Sequence, residues 1–501
     1  MPDRTLTVIY TSDIHGCLCA KAGQPGLAAL MNGPAPDGDT LLLDGGDTLQ
    51  GSAFAYSLAA SGRGMAGVTA ALMNLAGYRY VTLGNHDFSF GKAELEKYLA
   101  LLDAECLCAN VSGVRGVEKL ALTTLSNGLR IGLTGVITPF VPQWEKPENV
   151  QGVTFSDPVS AARDALRSLR AQGADVTVCL CHMGFENDPV TGQTLSQTGE
   201  NRAYEIAAAL GFSLVLAGHT HAPFAGGRIG STFACAPADK AVNCIRAEVR
   251  EDGTASAALI KTGTVPDSAA AALLAPYEKE CEAFLVRPIG RLSAPIPEKT
   301  FLDSALHGNA LANLFNAVQK AVTGADISVT SLQNTPPGLG TQVSAGDVIG
   351  AYPFPNTLTV IRVGRDVLKQ ALERSAAFLT PDGKGHAAVD RSALEPVPQF
   401  YNYDYFSGLY ARIDLSRPVG ARVLSLVYEG EELAEDRLLT LCLNSYRASG
   451  AGGYPFYRDC EVLSAGQDGV QELLLDHFRD RGTVMTDAAR YCEFYIGKEL
   501  L

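Results

Sequence analysis

Short apolar segments alternate with polar segments from residue 5 to about residue 260. Six of them begin as apolar runs, and most end in glycine or polar residues: LTVIYTSD, TLLLDGGD, RYVTLGNHD, RIGLTGVIT, DVTVCLCHMG and SLVLAGHTH. Continuous apolar runs of this length are typical of buried strands. Between several of them lie stretches with helical patterning, such as AELEKYLALLD and SAARDALRSLRAQG. The alternation therefore predicts an α/β domain.

The pattern restarts in the second half of the chain. The segment 267–287 is rich in Ala and Glu and predicts a connecting helix interrupted by Pro276. Beyond it, helices such as NALANLFNAVQKAV alternate with strands such as LTVIRV, and a strand-rich region follows. We therefore predict two α/β domains, 1–266 and 288–501, separated by the connector 267–287. The segment 379–398 is expected to be a loop.

Composition and charge narrow the class of partner. The chain has 501 residues, of which 47% are hydrophobic, and this fits a folded protein with ample core. The net charge of −14 disfavours a nucleic acid polymer, because no basic stripe offsets the repulsion. A small anionic substrate stays compatible if metal ions or arginines reverse the local field. No stretch approaches the ~20 apolar residues of a membrane span, so we expect no membrane partner. The oligomeric state is left open.

The twelve cysteines include three C-x-C pairs and no C-x-x-C zinc pattern. In a strand, cysteines at C-x-C spacing point the same way but stand too far apart to bridge easily. The first residues, MPDRTLTVIYTSD, lack the basic and apolar regions of a secretory signal. We therefore expect reduced thiols and a cytoplasmic location, although an exported form trimmed of its signal would begin in the same way.

Side chains able to bind metals gather at the ends of the predicted strands. Five of the eight histidines lie there, and no other histidine precedes the connector. Each motif alone has an ordinary explanation: Asp47 could cap a helix, and His182 could be a hydrogen-bonded core histidine. Five strand ends that carry N or O donors together favour a metal site. The residues concerned are Asp13, His15, Asp47, Asn85, His86, Asp87, His182, His219 and His221.

The donor types narrow the choice of metal. Carboxylate, amide and imidazole donors without thiolate suit Mn²⁺, Fe²⁺, Co²⁺, Zn²⁺ or Mg²⁺. The donors are too many for one tetrahedral centre, so we expect two divalent ions that share a bridging Asp. Such ions, roughly 3.5–4 Å apart, activate water and stabilise an in-line phosphoryl displacement.

Taken in order, D-x-H, GGDTLQG, GNHDFSFG, a lone His and GHTH resemble the calcineurin-type metallophosphoesterases, and more closely the bacterial 5′-nucleotidase family. In the second domain, YPFPNTLTVIRV, YNYDYFSGLYARIDL and LNSYRASGAGGY resemble its 2′,3′-cyclic-nucleotide 2′-phosphodiesterase/3′-nucleotidase branch. The resemblance implies a four-layer β-sandwich flanked by helices, followed by an α/β domain that binds the substrate. It also implies hydrolysis of 2′,3′-cyclic nucleotides to 3′-nucleotides, and then to nucleosides and phosphate.

The resemblance further implies the role of each candidate residue. One ion would be held by Asp13, His15 and His221, the other by Asn85, His182 and His219, with Asp47 as the bridge. His86 would face the phosphoryl oxygens or the leaving alkoxide, and Asp87 would hold the tautomer of His86 and favour its protonated form.

Substrate contacts are implied for the second domain, which would rotate about the connector. A nucleobase would stack between Tyr403 and Tyr446, and Asn334 lies in the loop that contacts substrate in this family. For both tyrosines, simple core packing is the alternative, because Tyr401, Tyr403 and Tyr405 alternate as they would in any strand.

Two departures from the 5′-nucleotidase pattern bear on the substrate. The loop 333–338 has no arginine where that branch carries N-G-G-G-x-R, and Gly452 stands in place of the Asp of G-G-D-G-Y. Both favour the cyclic phosphodiesterase branch. The alternatives are a 5′-nucleotidase or nucleotide-sugar hydrolase with the same metals, and a nucleotide-binding protein without catalysis. The intact pair His86-Asp87 argues against the last of these.

Overall fold

The computed structural model describes residues 4–20, 24–32, 36–195, 199–354, 356–394, 398–466 and 469–501. The chain divides into two units, Met1–Ala283 and Phe284–Leu501. Each unit combines helices with sheets, so the predicted α/β class is confirmed. Within the described ranges, no helix has both the length and the apolar character needed to cross a membrane. All twelve cysteines are free thiols.

Two β-sheets pack face to face in the N-terminal unit. Apolar side chains of both sheets, among them Val8, Leu43, Leu133 and Leu216, form one buried core. The Tyr10 hydroxyl also joins the sheets, because it donates to the Leu216 carbonyl oxygen at 3.2 Å. In spatial order, the first sheet contains Ala255–Lys261, Asn243–Arg250, Thr5–Thr11, Thr40–Asp44, Tyr80–Val81, Glu105–Leu107 and Val117–Glu118. The second contains Phe224–Ile229, Thr232–Ala236, Leu214–Ala217, Val176–His182, Arg130–Ile137 and Leu120–Thr124.

Helices connect the parallel strands of these sheets, as parallel pairing requires a crossover. Pro158–Ala171 and Ala203–Leu210 cover the outer face of the second sheet, where Leu166 and Ile206 pack against Val215. The remaining helices of the unit are Leu27–Leu30, Ala53–Ala60, Ala66–Ala76, the 3-10 turn Asn85–Phe88, Lys92–Leu101, Val141–Trp144 and Ser268–Leu285, and a small strand pair joins Val111–Ser112 to Thr154–Phe155.

The carboxyl ends of the parallel strands meet at one edge of each sheet. In the first sheet Thr11 lies beside Asp44, and Asp44 lies beside Val81. In the second sheet Cys181 lies beside Ala217. The candidate ligands lie in the loops that follow these residues. Because the strand ends are neighbours in the sheet, these loops begin next to one another.

The helix Ser268–Leu285 occupies most of the segment predicted as a connector. It continues through Pro276, where the sequence pattern predicted an interruption. A proline removes one backbone donor, and the rest of an 18-residue helix keeps its own hydrogen bonds. The division between the two units falls near the end of this helix.

The C-terminal unit contains three further sheets of three or more strands. In spatial order they are Gln342–Ser344, Pro288–Leu292 and Thr483–Val484; Tyr405–Ser407, Ile327–Thr330, Leu439–Asn444, Leu358–Val363 and Val462–Ala465; and Glu431–Glu432, Val423–Tyr428, Tyr410–Asp414, Cys492–Ile496 and Glu499–Leu500. Its helices are Phe301–His307, Ala310–Thr323, Ala345–Ala351, Arg365–Ala376, Ser445–Ala448, Pro455–Arg458 and Val470–Arg481, with 3-10 turns at Arg391–Ala393 and Phe400–Asn402.

Part of the segment predicted as a loop, 379–398, instead forms a small hairpin. Leu379–Pro381 pairs antiparallel with Ala387–Val389. The Asp382 carboxylate closes the turn by accepting from the backbone amide of His386 at 3.0 Å. Strands of three residues are too short to produce a recognisable apolar pattern, so they could not be predicted.

Candidate dimetal centre

Two glycine-containing loops, 45–49 and 84–88, approach each other backbone to backbone. A Cβ atom at Gly84 would lie 2.1 Å from the Asp47 amide nitrogen, and a Cβ atom at Gly46 would lie 2.3 Å from the Gly84 nitrogen. Only glycine fits so close an approach. The glycines of GGD and GNHD therefore bring Asp47 next to Asn85.

The Asp87 carboxylate holds these two loops together. Its Oδ1 accepts from the amides of Thr48 at 2.9 Å and Leu49 at 3.1 Å. Its Oδ2 accepts from the amides of Gly84 at 2.8 Å and Asp47 at 3.0 Å. Burial and the nearby Asp47 charge raise the pKa of Asp87 to about 6, although the amides oppose this shift. At neutral pH the group is therefore an anion bonded to four backbone donors.

The first candidate metal position is formed by Asp13, His15 and His221, whose donor atoms lie within 4.8 Å of one another. The Nε2 atoms of His15 and His221 are 2.9 Å apart, and His221 Nε2 is 3.5 Å from Asp13 Oδ1. His15 Nδ1 lies 2.9 Å from the Gln50 carbonyl oxygen, which leaves Nε2 as the lone-pair donor. Burial is the main reason that the pKa of His15 falls to about 4, so its ring is neutral.

The second candidate position is formed by Asp47, His182 and His219, again with donor atoms within 4.8 Å of one another. Asp47 Oδ2 lies 3.2 Å from His182 Nε2 and 3.9 Å from His15 Nε2, so one carboxylate oxygen is close to both positions. Asn85 Oδ1 is 3.2 Å from the same His182 nitrogen. The residues predicted from strand ends are thus brought together as two adjoining groups.

Backbone strain is concentrated at these residues. Eight non-glycine residues in the described part of the chain have positive φ angles, which are uncommon for such residues. Five of the eight are candidate ligands, namely Asp13, His15, Asp47, His219 and His221. Each such conformation costs on the order of 1–3 kcal/mol, so the fold must compensate for it elsewhere. The bent backbone aims the donors of D-x-H, GGD and H-x-H toward common points.

This arrangement fits a pair of divalent cations. Two imidazole nitrogens face each other at 2.9 Å, and a carboxylate oxygen lies close to both groups. A cation between such donors satisfies lone pairs that would otherwise oppose one another. The donor set matches that of Mn²⁺, Fe²⁺, Co²⁺, Zn²⁺ and Mg²⁺ sites. One ion would be held by Asp13, His15 and His221 and the other by Asn85, His182 and His219, with Asp47 between them.

His86 lies at the border of the two groups. Its backbone amide donates to Asp47 Oδ1 at 2.6 Å, and its ring centroid is 5.3 Å from that of His15. The side chain is partly exposed, whereas Asp87 beside it is buried. The expected contact between Asp87 and the His86 ring is absent, because the Asp87 carboxylate accepts from backbone amides. The polar atom near His86 Nδ1 is Ser89 Oγ, at 3.5 Å.

Three further residues near the ligands were not predicted. Glu200 Oε1 lies 2.8 Å from His219 Nε2, and the Trp144 ring stacks on His219 with centroids 5.6 Å apart. Asp239 Oδ2 lies 3.6 Å from His221 Nδ1. None of the three stands in a strand-end motif, so the pattern that indicated the ligands could not indicate them.

In the C-terminal unit, Tyr403 is a core residue, 3% exposed. Its ring makes edge contacts with Phe301 and Tyr405, with centroids 5.2 Å and 4.9 Å away. The expectation that Tyr403 stacks on a nucleobase is therefore corrected, and the core alternative holds. Tyr446, by contrast, is 44% exposed, and Tyr401 is partly exposed.

A buried arginine holds the segments that carry these two exposed rings. Arg447 Nε donates to Asp404 Oδ1 at 2.9 Å, and both side chains are only 2% exposed. Arg447 Nη2 donates to the Tyr401 carbonyl oxygen at 3.3 Å. The guanidinium carbon also lies 5.8 Å from the centre of the Tyr446 ring. One ion pair thus fixes the backbone around both tyrosines.

The same arginine explains one departure noted in the sequence. A Cβ atom at Gly452 would lie 2.0 Å from Arg447 Nη1, so an aspartate has no room there. The side-chain amide of Asn334 supports the neighbouring loop. Its Nδ2 donates to the Pro398 carbonyl at 2.8 Å, and its Oδ1 accepts from the Phe400 amide at 2.9 Å. The residue is exposed, and its contact with substrate stays a prediction.

Comparison with known families agrees with these two units. Residues 6–223 match the calcineurin-like phosphoesterase family, and residues 288–459 match the 5′-nucleotidase C-terminal domain. The chain combines a calcineurin-like phosphoesterase domain with a 5′-nucleotidase C-terminal domain. These matches confirm the two predicted domain types, a calcineurin-type phosphoesterase domain and a 5′-nucleotidase C-terminal domain. Calcineurin-like phosphoesterases use a dimetal centre, and the two adjoining groups are the candidates for it here.

Similar proteins cover nearly the whole chain at low identity. A 2′,3′-cyclic-nucleotide 2′-phosphodiesterase/3′-nucleotidase of Haemophilus influenzae is 24% identical over 95% of this chain and 85% of its own length. The trifunctional nucleotide phosphoesterase protein YfkN of Bacillus subtilis is 23% identical over 96% of this chain, which spans only 38% of that relative. A Staphylococcus aureus crystal structure in complex with alpha-ketoglutarate, provisionally named a 5′-nucleotidase, shares 26% identity and a TM-score of 0.77, covering 98% of this chain and 99% of that one.

The role of Asp87 can be tested by Asp87→Asn. The amide keeps one acceptor but turns an NH₂ group toward two backbone donors. We expect the free energy of unfolding of the metal-free protein to fall by about 3 kcal/mol, measured by urea denaturation, with weaker Mn²⁺ binding. Asp252→Asn in an exposed turn is the matched control. If stability were unchanged and kcat were low, the result would instead support the predicted role of Asp87 in orienting the His86 ring.

Metal affinity should depend on pH. Burial opposes a charge on His182, but Asp47 outweighs it and raises the pKa of His182 to about 10 in the metal-free site. An incoming cation must therefore displace a proton, so we expect Mn²⁺ to bind more tightly as the pH rises from about 6 to about 8. Isothermal titration calorimetry in buffers of different ionisation enthalpy measures both affinity and proton release. Affinity independent of pH and binding without proton release would contradict this expectation.

Proposed function

We propose that this protein hydrolyses 2′,3′-cyclic nucleotides to 3′-nucleotides, and then to nucleosides and phosphate. The observation that carries the proposal is the pair of adjoining donor groups around Asp47, with the partly exposed His86 at their border. The name of the Haemophilus influenzae relative supports this substrate class. The loop 333–338, which has no arginine, supports it over a 5′-nucleotidase.

Both steps are hydrolyses at phosphorus. In the first, water adds to phosphorus, the bond from phosphorus to O2′ breaks, and O2′ takes up a proton. In the second, water adds again, the bond to O3′ breaks, and the nucleoside leaves with a protonated O3′. Divalent ions, when bound, polarise the phosphoryl oxygens and lower the pKa of water.

His86 is the residue proposed to assist the leaving oxygen. Its amide is bonded to Asp47, which places the ring beside the donor groups, and its partial exposure leaves room for a substrate. A histidine in this place can give a proton to O2′ or O3′, or stabilise the phosphoryl oxygens. Asp13, Asp47 and the histidines of the two donor groups would hold the cations.

For the nucleobase, Tyr446 and Tyr401 are the proposed contacts. Both rings have exposed surface, and both depend on the buried pair Arg447–Asp404 for their backbone positions. Aromatic stacking is worth ~1–3 kcal/mol per base and accepts any base. Stacking on these two rings predicts that the protein accepts any base. Tyr401 thus takes the stacking role that the sequence predicted for Tyr403.

Substrate preference can be tested on 2′,3′-cyclic AMP, 3′-AMP and 5′-AMP, with and without added Mn²⁺. We expect metal-dependent turnover of the cyclic and 3′ substrates, weak turnover of 5′-AMP, and a loss of about 10²–10⁴-fold in kcat for His86→Ala. Products are followed by chromatography, so that each step is seen separately. Mn²⁺ titration of the variant checks that its donor groups remain intact.

The other outcomes of this assay distinguish the alternatives. A preference for 5′-AMP would keep the metal site and make the protein a 5′-nucleotidase. Turnover of a nucleotide sugar assayed in parallel, with none of the three nucleotides hydrolysed, would point to a nucleotide-sugar hydrolase. Nucleotide binding with no turnover in the presence of Mn²⁺ would revive the non-catalytic alternative and overturn the proposal.

Base recognition is tested by the tyrosines. We expect Tyr446→Ala to raise KM about tenfold or more for every base, with a smaller change in kcat, because stacking is lost. Tyr403→Phe is the matched control, since it alters a buried ring by one hydroxyl and should leave KM unchanged. A KM of Tyr446→Ala that stays at the wild-type value for every base would contradict the assignment.

A further inference from the structure

The chain contains a single tryptophan, and that residue lies against a candidate metal ligand. The rings of Trp144 and His219 are stacked, with centroids 5.6 Å apart and planes inclined by 22°. The same imidazole has a carboxylate partner, because Glu200 Oε1 lies 2.8 Å from His219 Nε2. His219 is therefore held both on its face and at one nitrogen.

The contact with Glu200 decides which nitrogen of His219 is left for a cation. A neutral imidazole has one N–H donor and one lone-pair acceptor. A carboxylate at hydrogen-bond distance fixes the proton on Nε2, which leaves the lone pair on Nδ1. Glu200 is not among the donors of either group, and it contacts the second group at His219.

The other buried ligand histidines are oriented differently. His182 Nδ1 lies 2.6 Å from the Gly45 carbonyl oxygen, and His15 Nδ1 lies 2.9 Å from the Gln50 carbonyl oxygen. A carbonyl orients an imidazole, whereas a carboxylate also makes the opposite nitrogen a stronger donor. A carboxylate also lies near His221 of the first position, but Asp239 Oδ2 is 3.6 Å from its Nδ1, whereas Glu200 is at hydrogen-bond distance from His219, 2.8 Å.

We propose that Glu200 and Trp144 are positioning residues for the second metal position, the one formed by Asp47, Asn85, His182 and His219. Glu200 fixes the tautomer of His219 and raises the donor strength of Nδ1. Trp144 fixes the plane of the ring. The proposal concerns metal binding alone and does not depend on the substrate proposed above.

The effect should be confined to one of two bound ions. Loss of an outer partner of a metal ligand typically weakens metal affinity 10–100-fold. Asp13 of the first position accepts from the backbone amide of His219, not from the imidazole that Glu200 contacts, so the first position should keep its affinity. Glu200→Gln keeps an acceptor oxygen but loses the charge, so its effect should be smaller than that of Glu200→Ala.

The test is a Mn²⁺ titration of the metal-free full chain, followed by calorimetry and by the fluorescence of Trp144. The variants are Glu200→Gln and Glu200→Ala, and Glu248→Gln on an exposed strand position is the charge-matched control. We expect two ions to bind to the wild type and the control. In the Glu200 variants one ion should bind about 10–100-fold more weakly, and the quenching of Trp144 should shift to the same higher Mn²⁺ concentration.

Trp144→Phe and Trp144→Ala complete the design by calorimetry. The phenyl ring keeps a stacked face and should leave both affinities near wild type, whereas alanine should weaken one of them. Wild-type affinity for both ions in Glu200→Ala overturns the proposal. Equal weakening of both ions, together with a lower unfolding midpoint of the metal-free protein, also overturns it, because Glu200 would then be merely structural.

If Glu200→Ala does not fold, Glu200→Gln decides between these outcomes. No nucleotide is present in the titration, so its failure would leave the proposed hydrolysis standing. Conversely, a protein that hydrolyses none of the three nucleotides would still show the two metal affinities.

Discussion

One carboxylate, that of Asp87, joins the loops that bring donors from two different strands together. It accepts from amides on both loops at 2.8–3.1 Å, and this bonding keeps Gly84 against Asp47. Asp47 in turn has one oxygen close to both metal positions. Displacing Asp87 would therefore loosen the shared ligand first and both positions with it. The glycines allow the two backbones to approach each other, and the Asp87 carboxylate holds them there, so both are needed for the same contact.

The donor positions could be predicted because parallel strands end at one edge of a sheet, and every ligand follows an apolar run. The role of Asp87 could not, since its partners are backbone amides, which leave no mark on the sequence. Because Asp87 follows His86 directly in the sequence, the pattern suggests instead that the two form a catalytic pair. Glu200 and Trp144 were missed for a related reason. They stand outside the strand ends, and only the folded chain brings them to His219.

In the C-terminal unit, the sequence pattern did not show which of the alternating tyrosines are buried. Alternating tyrosines show that one face differs from the other, but they do not show which face is buried. Phe301 and Tyr405 decide this for Tyr403, and Phe301 lies about a hundred residues away in sequence. Position 452 requires glycine because the guanidinium of Arg447 occupies the space that a side chain would need, and the sequence does not show this contact. Long-range neighbours, which no local pattern contains, settled both points.

The ligands come from the whole length of the N-terminal unit, and His15 and His221 are separated by 206 positions. Each donor group combines residues from distant parts of the sequence, so cation binding requires that these parts be folded together. Ligation then adds RT ln(1 + [L]/Kd) to the stability of the entire unit. Bound metal would therefore stabilise the whole assembled unit, in addition to completing its site.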